Sequence, residues 1–154
     1  MDQNKGFVWQ ARVERTLKAL AKNRIPAVYV PNREEAVKTV ESMLRPGDVV
    51  TCGGSMTLAE TGVMDLLKSG AYEFLDRQAM DPEEVYRKTF GADVFLMSAN
   101  AITEDGELYN VDGNGNRVAA LIFGPKRVIV VAGINKLVRN LDKAIARGKC
   151  MAAP

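Results

Sequence analysis

The chain has 154 residues, 47% of them hydrophobic, and its 21 Lys and Arg stand against 19 Asp and Glu for a formal net charge of +2. This size and apolar content suit one domain over residues 1–154 with a sizeable core, since domains cluster at roughly 100 to 150 residues. The charges form no run of one sign, which argues against nucleic acid as partner, and the absence of histidine excludes Ser-His-Asp or Cys-His catalysis and the usual zinc, haem or non-haem iron ligation within this chain.

The N-terminal MDQNKGFVWQ lacks the apolar core and cleavage site of a secretory signal. No apolar run reaches the roughly 20 residues that span a bilayer, so a cytoplasmic protein with no membrane partner is expected. Cys52 and Cys150 offer neither a disulfide framework nor metal-ligand spacing, and both are expected as free thiols.

Val13, Leu17, Leu20 and Ala21 recur at helical spacing between charged positions and predict a helix over residues 7–23. Ile25 to Val30 (IPAVYV) reads as a short strand ended by Pro31-Asn32. Asn32 then caps a helix with Ala36, Val40, Met43 and Leu44 on one face, before a turn at Arg45-Pro46-Gly47-Asp48. Asp48 to Cys52 is a strand that runs straight into Gly53-Gly54-Ser55-Met56-Thr57 and a helix with Ala59, Val63, Leu66 and Leu67 inward. Tyr72 to Leu75 is a short strand after Gly70, and Asp81-Pro82-Glu83-Glu84 opens a brief helix closed by Gly91.

Asp93 to Met97 (DVFLM) is a core strand, followed by a hairpin over Ala101 to Val111 that turns at Asp105-Gly106. Asn114-Gly115-Asn116 starts a helix with Val118, Leu121 and Ile122 inward, and Gly124-Pro125 ends it. Val128 to Ala132 (VIVVA) is the most hydrophobic strand, suited to a parallel sheet covered on both faces, and Leu137, Leu141, Ala144 and Ile145 define a last helix. Strands alternating with helices in this way give an α/β fold with a mainly parallel sheet flanked by helices.

In such sheets ligands bind at the carboxyl ends of the strands. Three polar turns follow strands here, Gly53 to Thr57, Ser98 to Asn116 and Gly133 to Lys136, and the site is expected where they converge. At Gly53, Gly54, Ser55 and Thr57 the backbone N–H groups can receive a phosphate or carboxylate, or the stretch is simply a tight strand-to-helix turn. It has neither the P-loop lysine nor the dinucleotide glycine spacing, so no ATP or nicotinamide cofactor is expected. Glu60 can serve as a carboxylate nucleophile, but Thr57-Leu58-Ala59-Glu60 also fits a capping box, and that reading is preferred. Cys52, beside the same helix start, is read as a buried small apolar residue.

The central stretch is unusually polar. Asp105 serves the turn and Glu107 is solvated, whereas Asn100, Asn110, Asp112, Gly113 and Asn116 follow a core strand, where amides can hold hydroxyls and the Asp112 carboxylate can move a proton. Lys136 can neutralise an anionic ligand, or is simply exposed.

The segments GDVVTCGGSMTLAETGVMDLL and SANAITEDGELYNVDGNGNRVAALIFGPKRVIVVAGINKLV, with the closing MAAP, resemble the LUD-domain family over about residues 5 to 154. That resemblance implies the NagB/RpiA/CoA transferase-like fold. It further implies a role in lactate or organic-acid metabolism, with a small anionic metabolite, a hydroxy acid or a sugar phosphate, as ligand and iron–sulfur oxidoreductase subunits as partners, and with self-association left open. Many members continue past the AAP with a cysteine-bearing tail; no metal or cluster is expected of this chain. The stretch SANAITEDGELYNVDGNGNRVAALI is also similar to the methylthioribose-1-phosphate isomerase group. In that alignment Asn100 stands at the group's catalytic Asp and Val111 at its Lys, and an amide cannot take the acid–base role. The enzyme readings are an isomerase with Asp112 as base and a CoA transferase with Glu60 as nucleophile.

Overall fold

The structure, a computed structural model, describes residues 3–152. The closing Ala153 and Pro154 of the MAAP motif, and Met1 and Asp2 at the other end, lie outside the described residues. In chain order the elements are α1 (Gln3–Lys22), α2 (Arg33–Met43), β1 (Val49–Cys52), α3 (Met56–Thr61), α4 (Val63–Leu67), β2 (Glu73–Leu75) and α5 (Pro82–Thr89). They continue with β3 (Val94–Met97), β4 (Ala101–Thr103), β5 (Leu108–Tyr109), α6 (Asn116–Phe123), β6 (Arg127–Val130), a 3-10 turn at Ile134–Lys136, β7 (Leu137–Val138), α7 (Leu141–Arg147) and a π turn at Gly148–Ala152. Two compact units divide them, residues 30–98 with 112–132, and residues 1–29 with 99–111 and 133–154. Among the described residues no helix is long and apolar enough to cross a membrane.

The first of these units holds an all-parallel sheet in the order β2-β1-β3-β6. Side chains alternate across a strand, and β3 is buried at all four positions, so both of its faces are covered. Val94 and Leu96 join Val50 of β1 against Val40 and Leu44 of the α2 segment, Leu58 of α3, and Val63 and Leu67 of α4. Phe95 and Met97 face the other way, against Ala120 and Leu121 of α6. Thr51 projects to this second face and meets Thr89 of α5 at 3.3 Å, oxygen to oxygen. Each fully buried Leu or Val contributes about 1.5–3 kcal/mol, so this two-sided packing is the main source of stability in the unit.

Local chemistry sets the element ends. Asn32 caps α2, its Oδ1 accepting from the Glu35 N–H at 2.8 Å. The predicted Thr57–Glu60 capping box is not formed. Ser55 is the cap of α3 instead, its Oγ accepting from the Leu58 N–H at 3.3 Å, and left-handed Gly62 at φ +85° splits the expected single helix into α3 and α4.

Four further expectations are corrected. Ile25 to Val30 forms no strand: Pro26 has no N–H to give a ladder, and Val28 and Tyr29 are exposed rather than packed. Of the VIVVA stretch only Val128 to Val130 lie in β6, which is an edge strand of intermediate burial throughout, because β3 pairs with it on one side and no strand of this sheet lies on the other. Ile122 points outward, 77% exposed, since α6 buries Ala120 and packs half-buried Leu121 beside it. Leu137 is in strand β7, and Asn140, whose Oδ1 accepts from the Lys143 N–H, starts the last helix only at Leu141.

In the other unit the predicted hairpin is present: β4 pairs antiparallel with β5 and parallel with β7. Helix α1 is fastened to its turn. The Asn23 amide donates to the Asp105 and Gly106 carbonyls at 3.1 and 2.9 Å. Glu104 accepts from Arg12 Nε at 2.6 Å and Arg15 Nη2 at 2.8 Å, and Arg12 also lies 4.5 Å from the Trp9 ring centre. Burial pushes the Glu104 carboxyl up, but the two guanidiniums outweigh it and hold the group below its ordinary value. The stabilisation is therefore present above the unfolded pKa and is lost as pH falls through the lowered folded one.

Gly106 has φ +82°, and a Cβ placed on it would stand 2.5 Å from the Ala19 carbonyl carbon. Gly70 shares the left-handed geometry, at φ +90°, with open space around it. Ala at position 70 should cost about 1–2 kcal/mol from backbone strain alone, and Gly106→Ala about 3 kcal/mol or more, because the helix backbone cannot yield. Urea unfolding of both variants checks this, and equal losses would contradict the close approach of α1.

Candidate functional site

The helices that follow β1, α3 and α4, cover one face of the parallel sheet, whereas α6, the next helix after β3, covers the other. Between the carboxyl ends of β1 and β3 the chain therefore departs in opposite directions, the place where open α/β sheets hold ligands. A cavity of about 270 Å³ opens there. Cys52, Gly53 and Gly54 line it at the end of β1, Phe95 at β3, Val85, Tyr86, Thr89 and Phe90 along α5, and Asp112, Asn114, Asn116, Arg117 and Ala120 around the start of α6. Arg77, two residues past β2, completes it.

The glycine pair is shaped by what lies over it. A Cβ on Gly54 would stand 2.6 Å from Arg77 Nη2, and one on Gly53 would stand 3.3 Å from Arg117 Cδ and 3.4 Å from Phe95 Cζ. Both arginine side chains thus lie against one two-residue turn, which the absence of side chains there permits. Arg117 is held by its Nη1, which donates to the Ser98 carbonyl at 3.0 Å. The Gly53 N–H donates to the Leu96 carbonyl at 2.9 Å and continues the β1–β3 ladder, so that amide serves the sheet. Side-chain charge, more than the backbone of this turn, is what the cavity offers an anion.

Asp112 lines the cavity as an architectural acceptor. Its Oδ2 accepts from the Arg117 and Val118 N–H groups at 2.7 and 3.0 Å, satisfying the first turn of α6, where Gly115 has no side chain to do so. The same carboxylate thereby fixes where the Arg117 side chain leaves the helix.

The structure brings Gly53, Gly54, Asp112 and Asn116 together in this cavity. Ser55 and Thr57 belong to the start of α3, one as its cap and the other as a carbonyl acceptor for the Thr61 hydroxyl at 2.7 Å, and Gly113 is exposed beside Asp112 without lining the cavity. Glu60 is exposed on a separate open hollow with Arg33, Glu34, Lys38 and Asp65. Asn100, Asn110 and Lys136 lie in the other compact unit. There Asn100 Oδ1 accepts from the Val111 N–H at 2.8 Å, and its carbonyl accepts from Arg147. Lys136 ends the 3-10 turn. Among the described residues no group of three or more Cys, Asp or Glu side chains is placed to hold a metal ion.

Arg77, Tyr86, Asn114 and Arg117 were not among the expected site residues. Arg77 carries the same signal as the glycine turn, since it follows a strand, β2, at its carboxyl end.

One sequence family matches, described as the LUD domain, over residues 13–154. The chain belongs to the LUD domain family. No curated protein and no solved structure matches it. The family ties this LUD-domain protein to lactate utilisation at the level of the family, and its α/β architecture with a mainly parallel sheet is the one described above.

Burial pushes the Cys52 thiol up to about 11, against the opposing pull of Arg77, whereas Cys150 is exposed. At pH 8 about one Cys52 in a thousand is then thiolate, the reactive form. A disulfide reagent such as dithionitrobenzoate should titrate one thiol rapidly, and Cys150→Ser should remove that phase. A fast phase that survives Cys150→Ser would contradict the burial of Cys52.

Proposed function

We propose that this LUD-domain protein binds a small anionic metabolite, a hydroxy acid or a sugar phosphate, in the Gly53–Gly54 cavity as part of lactate or organic-acid metabolism. One observation carries the reading: two arginines lie over a side-chain-free turn at the carboxyl ends of β1 and β3. Arg77 supplies charge and forked N–H donors, the geometry that suits carboxylate and phosphate oxygens, and Arg117, whose Nη1 donates to the Ser98 carbonyl, adds a second positive charge to the wall. The Asn114 and Asn116 amides are suited to hydroxyls, and Phe95, Ala120 and Val85 give an apolar floor for a short carbon skeleton. The volume, about 270 Å³, is just below the roughly 300–1,000 Å³ of ligand cavities, which favours a small metabolite over a coenzyme.

Recognition is favoured over proton transfer by the way Asp112 is used. A carboxylate oxygen that holds two backbone N–H groups at a helix start is committed to the fold, and drawing a proton to it would weaken that cap. Asp112→Asn keeps an oxygen acceptor there, so ligand binding should survive it.

Thermal melting tests the proposal. With lactate or glycerol 3-phosphate at about 100 times its dissociation constant, the melting temperature should rise by about 5–10 °C, corresponding to about 2.7 kcal/mol. Arg77→Gln should remove most of the rise while Asp112→Asn retains it. If neither anion moves the midpoint beyond sodium chloride of equal ionic strength, the proposal fails.

A further inference from the structure

We infer that the ligand of the Gly53–Gly54 cavity carries an aromatic ring, which makes its class an aryl-substituted 2-hydroxy acid. This rests on the anion-binding reading above and names the part of the molecule that the charged groups leave unaddressed. The chain has only 5 Phe, 4 Tyr and 1 Trp, yet Tyr86, Phe90 and Phe95 all line this one cavity. Aromatic rings prefer offset or edge-to-face neighbours, and three of them around one volume suit a fourth.

One wall of the cavity is apolar by construction. Helix α5 and its cap residue supply Val85, Tyr86, Thr89 and Phe90, two pairs at the i, i+4 spacing that places side chains on one face. The charged residues of α5 pair with each other, Arg87 with Glu83 at 3.2 Å and Lys88 with Glu84 at 2.7 Å. The Thr89 hydroxyl donates to the Val85 carbonyl at 2.8 Å, so it serves the helix. Phe95 continues this wall from β3, its Cζ 3.4 Å from a Cβ position on Gly53, and Arg117 Cδ reaches the same point at 3.3 Å. Because Arg117 Nη1 donates to the Ser98 carbonyl at 3.0 Å, what this residue brings to the turn is its methylene stem.

The anchor for the acid lies on the next residue of the turn. A Cβ on Gly54 would stand 2.6 Å from Arg77 Nη2. Asp76 pairs with Lys68 at 3.1 Å, and Arg77 makes no ion pair among the described residues, so its parallel N–H donors can take one carboxylate. The ring contact and the charge contact belong to adjacent residues, whose Cα atoms are about 3.8 Å apart, and one short molecule can reach both. Lactate would engage the Arg77 end alone. A volume of about 270 Å³ approaches the roughly 300–1,000 Å³ of ligand cavities, which a three-carbon acid underfills, and Phe90 would keep its 45% exposure. A ring joined to the hydroxy acid covers that surface and takes it out of water.

The experiment is isothermal titration of the full chain with 3-phenyllactate, lactate and the neutral 3-phenylpropane-1,2-diol, at pH 7 and constant ionic strength. Phenyllactate should bind at least about tenfold tighter than either of the others, a difference of about 1.4 kcal/mol. Phe90→Ala should cut the preference for phenyllactate over lactate to about threefold or less, whereas Phe90→Tyr, which keeps a ring, should retain it. Lactate binding as tightly as phenyllactate, or a preference that survives Phe90→Ala, would overturn the inference and leave the anion reading standing. Equal affinity for the diol and phenyllactate, or no binding of either acid, would overturn both.

Discussion

The parallel pairing of β1 with β3 is the constraint on which the rest of the larger unit depends. It sets Val50 against Val94 and Cys52 against Leu96, and its last rung, the Gly53 N–H to the Leu96 carbonyl, carries the ladder into the glycine turn itself. Because β3 is buried on both faces, helices must cover both, and the helices after β1 and β3 go to opposite sides. The crevice at the strand ends is a consequence of that division. A one-residue slip of β3 would turn Phe95 and Met97 toward α3 and α4 and take Phe95 out of the cavity wall.

Within that frame the site is made by few devices. Glycines at 53 and 54 leave room, α6 delivers Arg117, the turn after β2 delivers Arg77, and Asp112 holds the first turn of α6 in place. The acid in this set is spent on architecture and the bases face the cavity, an arrangement suited to holding an anion. Membership of the LUD domain family ties the chain to lactate utilisation at the level of the family.

Much of this was legible in the residues because local and long-range preferences agreed. DVVTC and DVFLM are short apolar runs bounded by turn residues, Asp105-Gly106 fits only a tight hairpin, and Asn32 is a strong helix cap. The failures fall where local pattern and tertiary partner diverge. IPAVYV has the composition of a strand, but an apolar run becomes one only with a ladder partner, and Pro26 withholds a donor. Thr57 to Glu60 matches a capping box, yet Ser55 starts the helix two residues earlier. The arginines of the cavity were hidden for a different reason. A charged residue after a strand looks like any solvated residue until the fold shows that Gly54 leaves the space Arg77 occupies, and that pairing spans positions no periodicity connects.

The central claim is that an anion is held over the Gly53–Gly54 turn by Arg77 and Arg117. An NMR titration of the isotope-labelled protein with glycerol 3-phosphate, following backbone amides and arginine Nε–H groups, tests it most directly. The account predicts that Gly53, Gly54 and Asn116 amides and the Arg77 and Arg117 side chains shift together along one binding curve. Shifts confined to the hollow around Arg33, Lys38 and Glu60, with the glycine pair unmoved, would contradict it.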